Sequence, residues 1–138
     1  EHDLWLMSWN ILAPCWVAKE WYPALYDLAA DHPTRLSTII THILSLHCDV
    51  IFLQEVQDTV LVQLEEKLRH RYTFQFVANN PTSSSEANGL LTMIRKDWKH
   101  ASEVTIIEGI LDPQEGEAIQ IVQIPSKRIH LVHVHLHW

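Results

Sequence analysis

Glycine is nearly missing from this chain, with three residues in 138. With 20% charged and 47% hydrophobic residues, this composition excludes a disordered segment and indicates a packed core. Cysteine is scarcer still. Cys15 and Cys48 form neither a disulfide framework nor a zinc-knuckle spacing, and Cys48, just before an apolar run, reads as a small core residue. A reducing compartment fits, so an intracellular location is the expectation. No apolar run reaches the roughly 18 residues that a membrane-spanning helix needs, and the first residues carry no signal-peptide pattern. Basic residues are outnumbered, 10 Lys and Arg against 17 Asp and Glu, giving a net charge of −7. Nothing resembles the basic stripe of a nucleic-acid-binding surface, so an anionic substrate would need a metal ion or local cations to offset repulsion. Internal repeats and a domain linker are absent too, and the length suits one domain or part of one.

What is present is periodicity. Leu4 to Asn10, with Trp5, Leu6 and Met7, reads as a short buried strand. Residues 12–34 look irregular, broken by Pro14, Pro23 and Pro33, and rich in rings: Trp16, Trp21, Tyr22 and Tyr26. These rings either pack the loop onto the body or offer a stacking surface. Leu36, Ile39, Ile40, Ile43 and Leu44 recur at helical spacing, and Pro33 and Thr34 are start signals, which predicts a helix over Thr34–Leu46. Asp49 to Gln54 reads as a fully buried strand. Asp58 can cap a second helix that turns Leu61, Leu64 and Leu68 inward. The pattern then becomes β-rich: strands at Tyr72–Ala78 and Leu90–Arg95 flank a polar loop, Asn79–Asn88, and Val104–Ile107 follows. Gly109–Glu117 reads as a turn region. Ala118–Ile124 and Ile129–Leu136 form a hairpin turned at Pro125-Ser126-Lys127. The order β, α, β, α, then strands suits an α/β sandwich.

Two strand ends carry the chemistry. Glu55 follows four consecutive apolar residues, where a charge is costly unless paired or metal-bound. Mg2+ prefers oxygen ligands, keeps several waters and often takes only one or two carboxylates. Asn10 ends the first strand; its amide can donate to a phosphate oxygen and accept from a metal-bound water. Taken alone, Asn10 reads better as a turn-forming residue. In His133-Val134-His135-Leu136-His137 the three imidazoles project to one face of a strand, with Ile129 and Leu131 behind them. They could stabilise phosphoryl charge, begin a transition-metal site, or form a plain surface cluster.

Ser-Trp-Asn-Ile-Leu-Ala at 8–13, Asp-Val-Ile-Phe-Leu-Gln-Glu-Val at 49–56, Asn-Gly-Leu-Leu-Thr-Met-Ile-Arg-Lys at 88–96 and Val-His-Leu at 134–136 come in an order that resembles the endonuclease/exonuclease/phosphatase superfamily. Arg35 matches as well, between the first two motifs. The resemblance implies a two-sheet α/β sandwich flanked by helices, with an Mg2+-dependent site at one end (Mn2+ as an alternative) and hydrolysis of phosphoesters by activated water. By that likeness Glu55 would ligate the metal, Asn10 would orient the metal's shell and a phosphate oxygen, and His135 would contact the scissile phosphate. Asn88 and His133 would lie toward substrate. Asn88 stands where the deadenylase branch has Asp, and His133-Val134 stand where the superfamily has Asn-Thr. The superfamily's later Asp-x-Asn element and terminal Asp-His pair are expected beyond Trp138. The chain therefore reads as the N-terminal part of one such domain, and residues 1–138 alone are expected to show little hydrolysis.

Asn-Ile-Leu-Ala, Tyr22-Pro23 and the Arg35 helix resemble the deadenylase and oligoadenylate-phosphodiesterase branch. Ser-Trp-Asn resembles abasic-site endonucleases, and Leu-Gln-Glu-Val is shared with sphingomyelinases, inositol-phosphate phosphatases and tyrosyl-DNA phosphodiesterases. The expected partner is a phosphoester, RNA or a nucleotide foremost. Two other readings stand: a transition-metal hydrolase built on His133, His135 and His137, and a degenerate, non-catalytic binding module.

Overall fold

Val50, Ile51, Phe52 and Leu53 are 4% exposed or less, because the strand they form is covered on both faces. The computed structural model describes residues 4–79, 87–112, 114 and 116–136. Four strands, β1 (Leu6–Asn10), β2 (Val50–Val56), β3 (Tyr72–Ala78) and β4 (Gly89–Arg95), make one sheet in the order β1-β2-β4-β3. Three more, β5 (Thr105–Asp112), β6 (Glu117–Ile124) and β7 (Ile129–Val134), make an antiparallel second sheet. The helices are α1 (Tyr26–Ala30), α2 (His32–Leu46) and α3 (Asp58–Leu68). Side chains of β2 alternate between two cores. Ile51 and Leu53 join Leu36, Ile39 and Ile43 of α2 and Val60, Leu64 and Leu68 of α3. Val50 and Phe52 face Val122 and Ile124 of β6. The result is the two-sheet α/β sandwich expected from the sequence, with α2 and α3 on the first sheet's outer face.

Helix α2 begins two residues before the expected start, because Asp31 Oδ1 accepts from the Thr34 amide at 3.2 Å and caps it. Asp58 is not a cap: Gln57 holds that position, and Asp58 lies in the first turn, where its charge favours the helix dipole. Two expectations are corrected. The strand near Asn10 is not buried but an edge strand, with Leu6, Ser8 and Asn10 exposed and Met7 and Trp9 half-covered. The Gly109–Glu117 turn starts later. β5 runs on through Gly109, Ile110 and Asp112, held by pairing with Ile119, Ala118 and Glu117, so ladder bonds outweigh the local turn propensity of Gly109. Cys48 is buried as expected, and burial raises its thiol pKa. The Asn79–Asn88 loop lies largely outside the described residues, as does His137.

Asp49 is fully buried just before β2. It accepts from the Trp5 amide at 2.8 Å and pairs with Arg95 Nη2 at 2.7 Å, tying the start of the first sheet to the end of β4. Gly89, at the other end of β4, sits opposite both Val56 and Ala78. A Cβ there would lie 2.2 Å from Val77 O and 2.8 Å from Ala78 Cα, both backbone atoms. Gly89→Ala is expected to cost about 3 kcal/mol, the upper range for overpacking. An unchanged denaturant midpoint would show that the β3–β4 pair yields there.

Candidate active site

β1 and β2 run parallel, with Asn10 beside Gln54, so the chain ends both strands at one edge of the sandwich. Between Leu53 and Val56 the pairing of β2 with β4 slips. Leu53 pairs Leu91 and Val56 pairs Gly89, leaving Gln54 and Glu55 opposite a single residue. This is a β-bulge. It lets Leu53 and Val56, three residues apart, both enter the helix-side core, and it swings Glu55 out of the strand with φ 60°. Leu12, two residues past Asn10, is also left-handed, φ 57°.

The turned-out groups meet. Asn10 Nδ2 donates to Glu55 Oε1 at 2.6 Å, and Glu55 Oε2 accepts from the Ala13 amide at 2.9 Å. His135 Nε2 lies 3.3 Å from Asn10 Nδ2 and 3.6 Å from Glu55 Oε1. Asn10 Oδ1 accepts from the Leu12 amide at 2.9 Å, which fixes the amide's orientation and presents its nitrogen to the carboxylate. Asn10 thus aims Glu55 rather than offering an oxygen beside it. Arg35 closes the loop from behind: its Nη2 donates to Leu12 O at 2.9 Å. Burial lowers the Arg35 pKa, and the Glu55 charge acts in the opposite direction.

His133 does not join His135 at the surface. It is 2% exposed, between the sheets, because it shares the inward face of β7 with Ile129 and Leu131. Its ring stacks on Phe52 at 4.4 Å and 5°. Gln54 Nε2 donates to His133 Nε2 at 2.8 Å and also reaches Ser8 Oγ at 3.2 Å. The imidazole proton therefore sits on Nδ1, 3.1 Å from Gln120 Oε1, which also accepts from Thr92 Oγ1 at 2.7 Å. This network joins the residue before Glu55 to the residue two before His135, within the buried space between the sheets. Asn88 Oδ1 accepts from Asn79 Nδ2 at 3.1 Å, across the base of the loop between β3 and β4. Among the described residues no group of three or more His, Cys, Asp or Glu is placed to hold a metal ion; His133 Nε2 is hydrogen-bonded to Gln54 inside the sandwich, and His137 lies outside the described residues. Sequence reasoning missed the Ala13 amide, which has no side-chain signature. It also passed over Thr92 and Gln120, whose signal was a polar residue at a buried-face position of an apolar strand.

Burial, and then the neighbouring His135 charge, lowers the His133 pKa from 6.5 to about 4. The unfolded chain binds this proton first, so the stability His133 confers is complete above pH 6.5 and is lost as pH falls toward 4. The loss at pH 4 is about 3 kcal/mol, at roughly 1.4 kcal/mol per pKa unit. His133→Gln should flatten the unfolding free energy between those pH values, and an unaltered pH profile would remove His133 from this account.

The fold has counterparts among solved structures. ANGEL2, a 2′,3′-cyclic phosphatase, superposes with a TM-score of 0.72 at 19% identity, over 98% of this chain and 41% of that one. TDP2 from D. rerio, complexed with a single-strand DNA product, gives 0.61 at 21% identity over 100% and 48%. The human Nocturnin catalytic domain with a bound sulfate anion gives 0.62 at 18% over 97% and 49%. The fold is that of the endonuclease/exonuclease/phosphatase superfamily. The chain spans about half the length, or less, of these superfamily structures. No family model matches the sequence, and no curated protein does either.

Proposed function

We propose that the Asn10–Glu55–His135 pole serves Mg2+-dependent phosphoester hydrolysis, with a nucleotide or nucleic-acid phosphodiester as substrate. The observation that carries this reading is the convergence of one carboxylate, one amide and one imidazole within 3.6 Å at the end of two parallel strands. The donor set fits Mg2+. Glu55 offers a carboxylate whose oxygens are already oriented by Asn10 and the Ala13 amide, and an ion that keeps most of its water needs little more from protein. When bound, the ion would polarise a phosphoryl oxygen and offset charge in a chain of net −7. Asn10 holds Glu55, and its second amide proton would be the one offered to a phosphate oxygen. His135 supplies a further donor to charge developing on the phosphoryl group. The superfamily neighbours, described as a cyclic phosphatase and as bound to a DNA product, support this class.

The test follows the site's own signals. Titrating the chain with adenosine 5′-monophosphate should shift the Asn10 side-chain amide and the His135 imidazole in nuclear magnetic resonance spectra, and only when Mg2+ is present. Equal shifts with and without Mg2+, or none at this pole, would defeat the reading.

A further inference from the structure

At the opposite pole of the first sheet lies a cavity of about 290 Å3 lined by His47, His70, Arg71, Arg95, Lys96 and Asp97. Asp49 to Glu55 spans six residues of extended chain, so this cavity is roughly 20 Å from the Asn10 pole at ~3.3 Å per residue. Its charge runs against the rest of the molecule. The chain carries 10 Lys and Arg and a net charge of −7, yet the β3–β4 pairing brings Arg71 and Lys96 together: the Lys96 amide donates to Arg71 O at 2.8 Å.

The polar atoms divide the cavity into two sides. Arg95 is ion-paired with two carboxylates, Nη2 on Asp49 at 2.7 Å and Nε 3.1 Å from Asp97 but without a hydrogen bond, and its Nη1 donates to His47 O at 3.1 Å. Arg71 and Lys96 have no carboxylate within ion-pair distance among the described residues. Arg71 Nη1 lies 3.3 Å from His47 Nδ1. A guanidinium only donates, so that nitrogen accepts and the His47 proton sits on Nε2, as a donor. Lys96 Nζ gives one proton to Arg69 O at 2.5 Å and keeps two. The Arg71–Lys96–His47–His70 side is thus a set of donors with spare protons, facing one competing carboxylate, Asp97, whose side chain is 84% exposed.

We infer that this cavity is a second anion site, built for the phosphate group of a phosphate monoester. A monoester's three terminal oxygens and double charge match an arginine fork, an ammonium and imidazole donors better than a carboxylate's two oxygens do. The volume leaves room for the group that bears the phosphate. The site is separate from the Asn10 pole and does not depend on the function proposed for it.

The test uses the whole chain with two probes, inorganic phosphate and adenosine 5′-monophosphate, at fixed pH and ionic strength. Both should give saturable shifts of the His47 and His70 imidazole signals in Mg2+-free buffer, while His135 stays still. Arg71→Gln, at an exposed position, should weaken binding at least tenfold. Asp97→Asn removes the competing charge and should tighten binding several-fold. Non-saturable shifts that sodium chloride reproduces would overturn the site, as would shifts confined to His135. So would indifference of the affinity to both variants, and a fall in affinity with Asp97→Asn would do the same.

Discussion

Glu55→Gln is expected to reduce the chain's affinity for Mg2+ at least about a hundredfold, since even residues that only support a metal ligand cost ten- to hundredfold when changed. The substitution keeps the size of the side chain and one oxygen for Asn10, but removes the charge and sets an NH2 group against one of two existing donors, Asn10 Nδ2 or the Ala13 amide. Metal affinity and loop order should therefore fall together. Mn2+ makes the effect visible. In the parent chain its paramagnetism should broaden the resonances of Asn10, Glu55 and His135, which lie within 3.6 Å of one another, and in the variant that broadening should vanish at the same concentration. Retained broadening in Glu55→Gln would show that another group holds the ion, and broadening centred elsewhere in the parent would show the same.

The largest loss of stability should come from Arg95→Met. Asp49 has no exposed side-chain area, and Arg95 Nη2 pairs with it at 2.7 Å. Replacing the guanidinium takes the Arg95 charge away from a fully buried carboxylate, and breaking a buried pair from one side typically costs about 3–5 kcal/mol. The pair also links the segment before β1, the start of β2 and the end of β4. The loss should thus appear as a single cooperative fall in the unfolding midpoint, not as local fraying. Arg95→Met combined with Asp49→Leu should recover much of it, because a buried pair replaced by apolar groups of similar size is often near neutral. Failure of the double variant to recover stability would mean that the hydrogen bonds to Trp5 and His47 O, rather than the charges, are what the site needs.

The sequence shows the interior of the fold better than its margins. The unbroken Val50–Leu53 run announces a doubly covered strand, and the 3.6-residue recurrence of Leu36, Ile39 and Ile43 announces the helix that covers it; both signals are local. Whether a strand lies at an edge is not local. Leu4 to Asn10 is as apolar as a central strand, and its exposure follows from a sheet order that no residue in it encodes. Likewise Gly109 reads as a turn until its pairing with Ile119 is known. The Asn10–Glu55 meeting was legible only as two polar residues closing apolar strands in an ordered set of motifs; that those strands pair as parallel neighbours is a fact of the fold. The inward turn of His133 was legible in part. Its parity with Ile129 and Leu131 gives the face, but only the packing of the second sheet on the first shows that this face points toward Gln54 and Phe52. The bulge that aims Glu55 has no signature in a chain where glycine would ordinarily mark it.

That bulge sets backbone strain against side-chain bonding. Glu55 and Leu12 both hold left-handed backbone without glycine, a conformation that costs a residue with a Cβ roughly 1–2 kcal/mol. Glycine at position 55 would relieve that strain at once, and it would erase the acid. That relief would be set against the loss of the two hydrogen bonds the carboxylate accepts from Asn10 and the Ala13 amide, so the strained turn and the bonds it permits stand or fall together.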